Sequence, residues 1–355
     1  MRVLISGWSG SSNLGDELVL AGLLRLLEAH EVLVVSVDPT ATHERFGVPA
    51  VAPRQGGRLL RAVQEADLLV FGGGGLLQDE TSPFNLPYHL SRPALALATG
   101  TPVVGVGLGA GPLQRPGSRT LVGLLRRAVA VSVRDVASQQ LLDRCGVPAR
   151  LATDLALHLD PVTPSVEDVI TVSLRPWGGG GGRLPVGARR RHELPTGIVQ
   201  ALADGLDDLA EDTGATVRFV ALQADRDDAV HAAVAARMRT ATERRTPGVH
   251  EVVEEVAAGR LVVAMRYHAG IAAVLGGRPA VLLGYSPKVD ALAGELGAGG
   301  ALLPLEPMAV TRDLASAASA VLGQTAAVTS AREALAPRLR VNREVLEAGF
   351  HAVRQ

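Results

Sequence analysis

The chain alternates short, continuous apolar runs with longer stretches of helical spacing. The apolar runs are Arg2 to Ser6, Glu31 to Val37, Asp67 to Phe71, Pro102 to Leu108 and Val129 to Val133. A second series follows at Asp168 to Leu174, Thr216 to Leu222, Leu261 to Met265 and Ala280 to Leu283. Unbroken rather than alternating hydrophobicity marks strands buried on both faces, as in a parallel sheet. Between the first two runs, Glu17 to Ala29 sets Leu18, Leu20, Leu23, Leu24 and Leu27 on one side of a predicted helix. The spacing predicts further helices ending near Arg144 and over about Thr196 to Asp212, Arg226 to Arg239, Glu251 to Ala258 and His268 to Leu275. Such alternation predicts an α/β fold with two Rossmann-like domains facing one another across a cleft. The pattern pauses near Pro161 and Pro164, so the expected divisions are residues 1–160 and 165–325. A C-terminal helical segment, 326–355, is interrupted at Pro337.

Polar chemistry is concentrated where these strands should end, the edge at which open α/β sheets take up ligands. The first strand runs into Gly7 to Asp16, a glycine-rich polar turn containing Asn13 and Gly15, with Asp16 a possible cap of the following helix. The third runs into Gly72 to Gly75, with Gln78 and Asp79 close behind. Four glycines at that point imply close backbone approach to a ligand, with Gly73, Gly74 and Gln78 the candidate residues. The fifth delivers Arg134 and Asp135. In the second half the strand ends deliver Arg175 and Trp177, then Arg266 and His268, then Tyr285 and Lys288. A further glycine run, Gly178 to Gly182, with Arg189 to Arg191 after it, is read as a loop over the cleft. Arg266 has a second reading, as the partner of a buried carboxylate.

Composition sharpens one of these candidates. Of 35 basic residues only Lys288 is lysine. A position that keeps lysine in an arginine-rich chain points to a need for a compact ammonium whose pKa burial can tune. The remaining numbers exclude broad classes. A net charge of −1 gives no basic footprint for nucleic acid, and 47% hydrophobic with 20% charged residues is a soluble balance. The sole cysteine, Cys145, cannot form an internal disulfide. No charged leader precedes an apolar run, and no apolar segment is long enough to span a bilayer, so a cytoplasmic protein is expected. No metal-ligand spacing, P-loop, dinucleotide fingerprint or nucleophile elbow occurs, and no heptad repeat sets an oligomeric state.

The ordered set of motifs resembles the polysaccharide pyruvyltransferases, most closely the bacterial CsaB type. It comprises Asn13-Leu-Gly-Asp-Glu17, Gly72-Gly-Gly-Gly-Leu-Leu-Gln-Asp79, Val133-Arg-Asp135, Ser173-Leu-Arg-Pro-Trp177, Met265-Arg-Tyr-His-Ala269 and Tyr285-Ser-Pro-Lys-Val289. The match covers nearly the whole chain. Tyr267 stands where Leu is common, and Leu283-Gly-Tyr285 replaces Ile-Ser-Tyr. The resemblance implies a glycosyltransferase-B-like fold and transfer of a pyruvyl group from phosphoenolpyruvate to a sugar as a ketal, with no cofactor and no metal. In CsaB-type relatives the acceptor is an N-acetylmannosamine-type residue of a cell-wall polymer precursor, carried on a lipid. That acceptor would bring the protein into peripheral contact with the inner face of the membrane.

The residues fit that chemistry. A donor with a carboxylate and a phosphate calls for fixed cations, which Arg134, Arg175, Arg266 and Lys288 supply. His268 is the natural proton carrier, with Asp16 its facing partner. His268, Lys288, Asp16 and Arg134 form the expected reacting set, and Arg266, Arg175, Tyr285, Asn13, Gly15, Gly73, Gly74 and Gln78 the substrate-binding set. One rival reading is a sugar-nucleotide glycosyltransferase of the same architecture, which usually needs an acidic residue to hold a ribose. None lies between Arg266 and Lys288. The other rival is a non-catalytic carbohydrate-binding protein, which would favour aromatic platforms, and aromatic residues are 3% of this chain.

Overall fold

The computed structural model describes residues 1–177, 194 and 196–355; the glycine run and the three arginines at 189–191 lie outside the described residues. Two fully parallel sheets organise the chain. The first contains β1 (Arg2–Ser9), β2 (Glu31–Ser36), β3 (Ala50–Val51), β4 (Leu68–Leu77), β5 (Val103–Ala110), β6 (Ala130–Val133) and β7 (Arg150–Leu151), in the order β3-β2-β1-β4-β5-β6-β7. The second contains β8 (Glu167–Ser173), β9 (Thr216–Val220), β10 (Thr242–Arg245), β11 (Gly259–Ala264), β12 (Ala280–Gly284) and β13 (Gly300–Pro304), in the order β10-β9-β8-β11-β12-β13. In each sheet the first strand is central and the order reverses beside it. The crevices of such a fold therefore open at the carboxyl ends of β1 and β4, and of β8 and β11.

The apolar runs become strands because nearly every residue in them is covered. Val3, Leu4 and Ile5 of β1 and Leu261, Val262 and Val263 of β11 are at most 1% exposed. The strands absent from the sequence reading are β3, β7, β10 and β13. The first two have only two residues each, and Thr242–Arg245 is mostly charged. These are edge strands or their neighbours, where one flank carries little hydrophobic signal.

Three local differences bear on function. The four glycines 72–75 are part of β4, which continues to Leu77, rather than a loop after it. Gly73 and Gly74 take φ of +75° and +80°, and the register with β5 shifts between Gly74 and Leu77. Positive φ costs glycine little, so the strand can twist here without breaking. The first helix spans Leu14–Leu26 and is capped by Asn13, not Asp16. Finally, the C-terminal segment divides. Helix Thr325–Ala334 contributes Val328 to the core of the second domain, whereas Ala336–Arg354 returns to the first sheet, with Val345 and Leu346 packed among Val3, Ile5 and Val104. Pro337 sits in the first turn of that last helix, where its missing N–H is harmless.

The domains meet through the start of helix Leu14–Leu26. Leu14 N–H donates to Leu222 O at 2.8 Å, and Ser12 Oγ to Asp225 Oδ1 at 2.9 Å. Leu18 is buried among side chains of helix Tyr267–Leu275 from the other domain.

Candidate active site

The first wall of the site is the opening turn of helix Leu14–Leu26. Asn13 accepts from Gly15 N–H at 3.2 Å through its side-chain oxygen, and its amide donates to Asp16 Oδ2 at 2.6 Å. Asp16 thus stands one turn inside the helix and faces the second domain. Burial raises its carboxyl pKa, against the opposing pull of His268, the Asn13 hydrogen bond, Lys288 and Arg266. Gly15 leaves room for His268: a Cβ at this position would lie 2.1 Å from His268 Nδ1. Of the two positive-φ glycines, Gly73 is held by packing, since a Cβ there would come within 1.9 Å of Val19 Cγ1. Gly74 faces the site, where an added Cβ would have Asp16 Oδ1 as its nearest neighbour at 3.6 Å.

Gln78 is engaged with its own chain. Its amide donates to Thr81 Oγ1 at 2.6 Å and accepts from Thr81 N–H at 3.0 Å, closing a turn beyond β4. Asp79 is likewise structural, accepting from Gln114 N–H, Arg115 N–H and Ser118 Oγ.

The second wall is built from the ends of β8, β11 and β12. Arg266 takes the N-cap position of helix Tyr267–Leu275 in extended conformation. The pairing considered for it beside substrate binding is present. Its Nε donates to Asp227 Oδ2 at 3.0 Å, its Nη2 bonds both Asp227 Oδ1 and Gln223, and Asp227 is fully buried. An unpaired guanidinium at 6% exposure would be costly, and Asp227 is the carboxylate within reach. Arg175 donates from Nη1 to Tyr285 Oη at 3.2 Å, and Trp177 meets the Tyr285 ring edge-on. Burial acts to raise the Tyr285 phenol, but Lys288 and Arg175 outweigh it and draw its pKa down to about 8. Lys288 is supported by Tyr285, yet burial with Arg134 and Arg175 brings its pKa below the ordinary lysine value. Ammonium and phenol are thus both drawn below their ordinary values by the cations around them, the pattern expected of a functional site.

Between the walls lies a group that the sequence reading left out. Asp154, three residues beyond β7, accepts from Arg134 Nη1 at 2.9 Å and from Ala156 N–H at 3.0 Å. Its other neighbour is His268, whose Nε2 lies 3.7 Å from Asp154 Oδ1. Burial favours its protonated form, but His268 and Arg134 prevail and hold its pKa well below the usual carboxylate range. Arg134 in turn spans Asp154 and, at 3.6 Å, Asp135. Burial opposes its charge, and Tyr267, Asp154 and Asp135 sustain it above the ordinary arginine value. The Tyr267 ring is the shared floor. Arg134 lies over it at 4.7 Å, Lys288 at 5.9 Å, and His268 packs edge-on at 5.2 Å.

Asp16, Arg134, His268, Lys288, Arg175 and Tyr285 therefore gather at one place, joined by Asp154 and Tyr267. Asp154 follows a two-residue strand with no periodicity of its own, so only its position next to Thr153 at a turn could have marked it. Tyr267 was visible as a departure from the usual Leu, without a role.

A family model described as "Polysaccharide pyruvyl transferase" matches residues 13–287, well over half the chain and nearly all of this site. The chain belongs to the polysaccharide pyruvyl transferase family. No curated protein matches it by sequence. Among solved structures, this pyruvyl transferase is similar to a glycosyltransferase from Rickettsia africae (TM-score 0.61, 11% identity, 97% of this chain and 98% of that one). It is also similar to UDP-GlcNAc 2-epimerase from Methanocaldococcus jannaschii (TM-score 0.58, 12% identity, 87% and 90%). At such identities the likeness concerns the fold, which is the two-domain glycosyltransferase-B-like arrangement expected from the sequence. Within the pyruvyl transferase match fall Asp16, Arg134, Asp154, Arg175, Arg266, His268 and Tyr285; Lys288 follows directly after it.

Proposed function

We propose that the protein transfers the pyruvyl group of phosphoenolpyruvate to two hydroxyls of a glycan, forming a ketal and releasing inorganic phosphate. The CsaB-type acceptor, an N-acetylmannosamine-type residue on a lipid-linked cell-wall precursor at the inner membrane face, is the specific substrate assigned. The observation carrying this reading is the convergence of Arg134, Arg175 and Lys288 with His268 and Asp16. Two charged groups on one small donor, with proton movement at carbon and oxygen, require that combination.

In the reaction C3 of the donor gains a proton and C2 becomes electrophilic. The two sugar oxygens bond to C2, and the C2–O bond to phosphate breaks. The sugar hydroxyls supply two protons, one balancing that given to C3 and one leaving with phosphate. His268 is assigned to deliver the proton to C3, steadied by Asp154. Asp16, whose carboxyl pKa is raised, is suited to receive a hydroxyl proton from the facing side. Lys288 and Arg175 hold the phosphate, with the Tyr285 hydroxyl bonded to Arg175. No helix among the described residues is long and apolar enough to cross a membrane, so a lipid-linked acceptor would be met at the surface.

The test is phosphorus and proton NMR of phosphoenolpyruvate with and without an N-acetylmannosaminyl disaccharide acceptor. Acceptor-dependent phosphate release and a new ketal methyl signal are expected. Release without acceptor, or turnover of a UDP-sugar instead, would overturn the proposal.

A further inference from the structure

The chain has few aromatic residues (Trp 2, Tyr 3, Phe 5), yet beyond Trp177, Tyr267 and Tyr285 in the site, Trp8 and Tyr88 meet on the wall that carries Asp16. Trp8 ends β1 and is 38% exposed. It meets Tyr88 edge-on at 5.9 Å and His89 at 5.9 Å. Phe84, one helical turn before Tyr88, is 74% exposed. Rings left open at the carboxyl end of a central strand are not core, and they stand at the crevice between β1 and β4.

The patch is rigid. Arg92 stacks on Tyr88 at 3.9 Å and bonds the Tyr88 carbonyl. Asn85 anchors the start of the helix by donating to Leu76 O at 2.9 Å and Gln78 O at 2.8 Å, both on or just beyond β4. His89 is buried, and that burial, with Arg92 nearby, lowers its pKa to about 4, so the ring behind Trp8 is neutral. A water-sized void between β1 and helix Leu14–Leu26 is lined by Trp8, Ser9, Asp16, Gly72 and Gly73 together with the buried Ile5, Val19, Leu20 and Leu23, so Trp8 and Asp16 border the same small space.

We infer that Trp8, with Tyr88 and Phe84 beside it, is a stacking platform that receives a pyranose ring of the acceptor glycan. The inference deepens the proposed pyruvyl transfer and rests on it for the identity of the acceptor. A pyranose has an apolar C–H face and a rim of hydroxyls, matching an indole face next to a carboxylate. A protein partner would need about 800 Å² on each side, which one recessed indole and its two neighbours do not offer. Stacking places the ring so that a hydroxyl pair is presented toward Asp16, and it explains how a chain poor in aromatics binds sugar.

Two tryptophans make the experiment clean, because Trp177 belongs to the donor wall and Trp8 to the acceptor wall. In a Trp177→Phe protein, Trp8 fluorescence is titrated with methyl N-acetyl-β-D-mannosaminide, with the open-chain polyol sorbitol as control. A saturable change with the glycoside alone, and protection from acrylamide quenching, are expected. By saturation-transfer NMR, Trp8→Phe should retain glycoside binding, while Trp8→Ala and Tyr88→Ala should weaken it at least about tenfold. Donor binding is read separately through Trp177 in Trp8→Phe, using phosphoenolpyruvate. Donor binding without any glycoside response overturns the platform and leaves the donor assignment standing. A glycoside response without donor binding supports the platform and overturns the assignment of phosphoenolpyruvate. Equal responses to sorbitol and glycoside, or unaltered glycoside binding in Trp8→Ala, also overturn the platform.

Discussion

At Gly15 one added methyl group should displace His268. The glycine lies in the first turn of helix Leu14–Leu26 and its φ is not in the left-handed region, so Gly15→Ala fits the backbone. In isolation the change would favour the helix by up to about 1 kcal/mol. The new Cβ would nevertheless stand 2.1 Å from His268 Nδ1 and 2.7 Å from its Cγ. Normal contact needs about 3.5 Å, so the imidazole must withdraw by about 1.4 Å, away from its place against Asp154. A misplacement of about 1 Å costs on the order of 100-fold in rate, about 2.7 kcal/mol of transition-state stabilisation. The expected outcome is kcat/KM down about 100-fold with a melting temperature unchanged or slightly raised. Gly22→Ala is the contrasting control. Its Cβ would meet the backbone oxygen of Leu155 at 1.9 Å, where backbone rather than a side chain must give way, and should destabilise the fold. Acceptor-dependent phosphate release and thermal unfolding measure both. If Gly15→Ala turns over within twofold of the parent, His268 is not a positioned reactive group.

Lys288→Arg should lower turnover at least about 100-fold in a folded protein, since a longer, planar and permanently charged group cannot replace a compact ammonium over the Tyr267 ring; near-normal kinetics would remove Lys288 from the reacting set. Asp154→Asn should cost about 3 kcal/mol in urea unfolding, by leaving Arg134 poorly compensated, and should lower kcat more than it raises KM for donor, through loss of His268 orientation. Gly74→Val should weaken acceptor use while sparing donor affinity, because φ is +80° there and the open face meets Asp16; unfolding would instead mark a purely structural position. Stability should fall with pH between about 6.5 and 4. His89, His158 and His231 are each depressed to about 4 by burial, so the unfolded chain binds the extra protons in that window. Each contributes up to about 1.4 kcal/mol per pH unit, and His231→Phe should flatten the slope measured by urea titration.

How much of this was legible beforehand depends on the range over which each feature is encoded. Strands β1, β4, β5, β8 and β11 were readable because continuous apolar runs need no knowledge of the partner strand. Helix starts that deliver Asp16 and His268 were readable too, and Lys288 as a residue set down after a strand, whereas helix Pro287–Leu296 that carries it was not. The two-residue strands β3 and β7 were not, because so short a segment has no period. Asp154 was missed with β7, although it links Arg134 to His268.

By itself the sequence determined the two parallel α/β sheets, the carboxyl edges that carry chemistry and the singular lysine, all properties of contiguous residues. Tertiary structure alone decided which charges are spent and which are free. Arg266 and Asp227, 39 residues apart, neutralise one another, while Lys288 is left over the Tyr267 ring. It also decided that Gly15 is small for the sake of His268 in the other domain, and that the Gln78 amide closes a turn with Thr81. Ion pairing, burial and steric contact act across space between residues distant in the chain, so their outcome is fixed only once the two sheets have met.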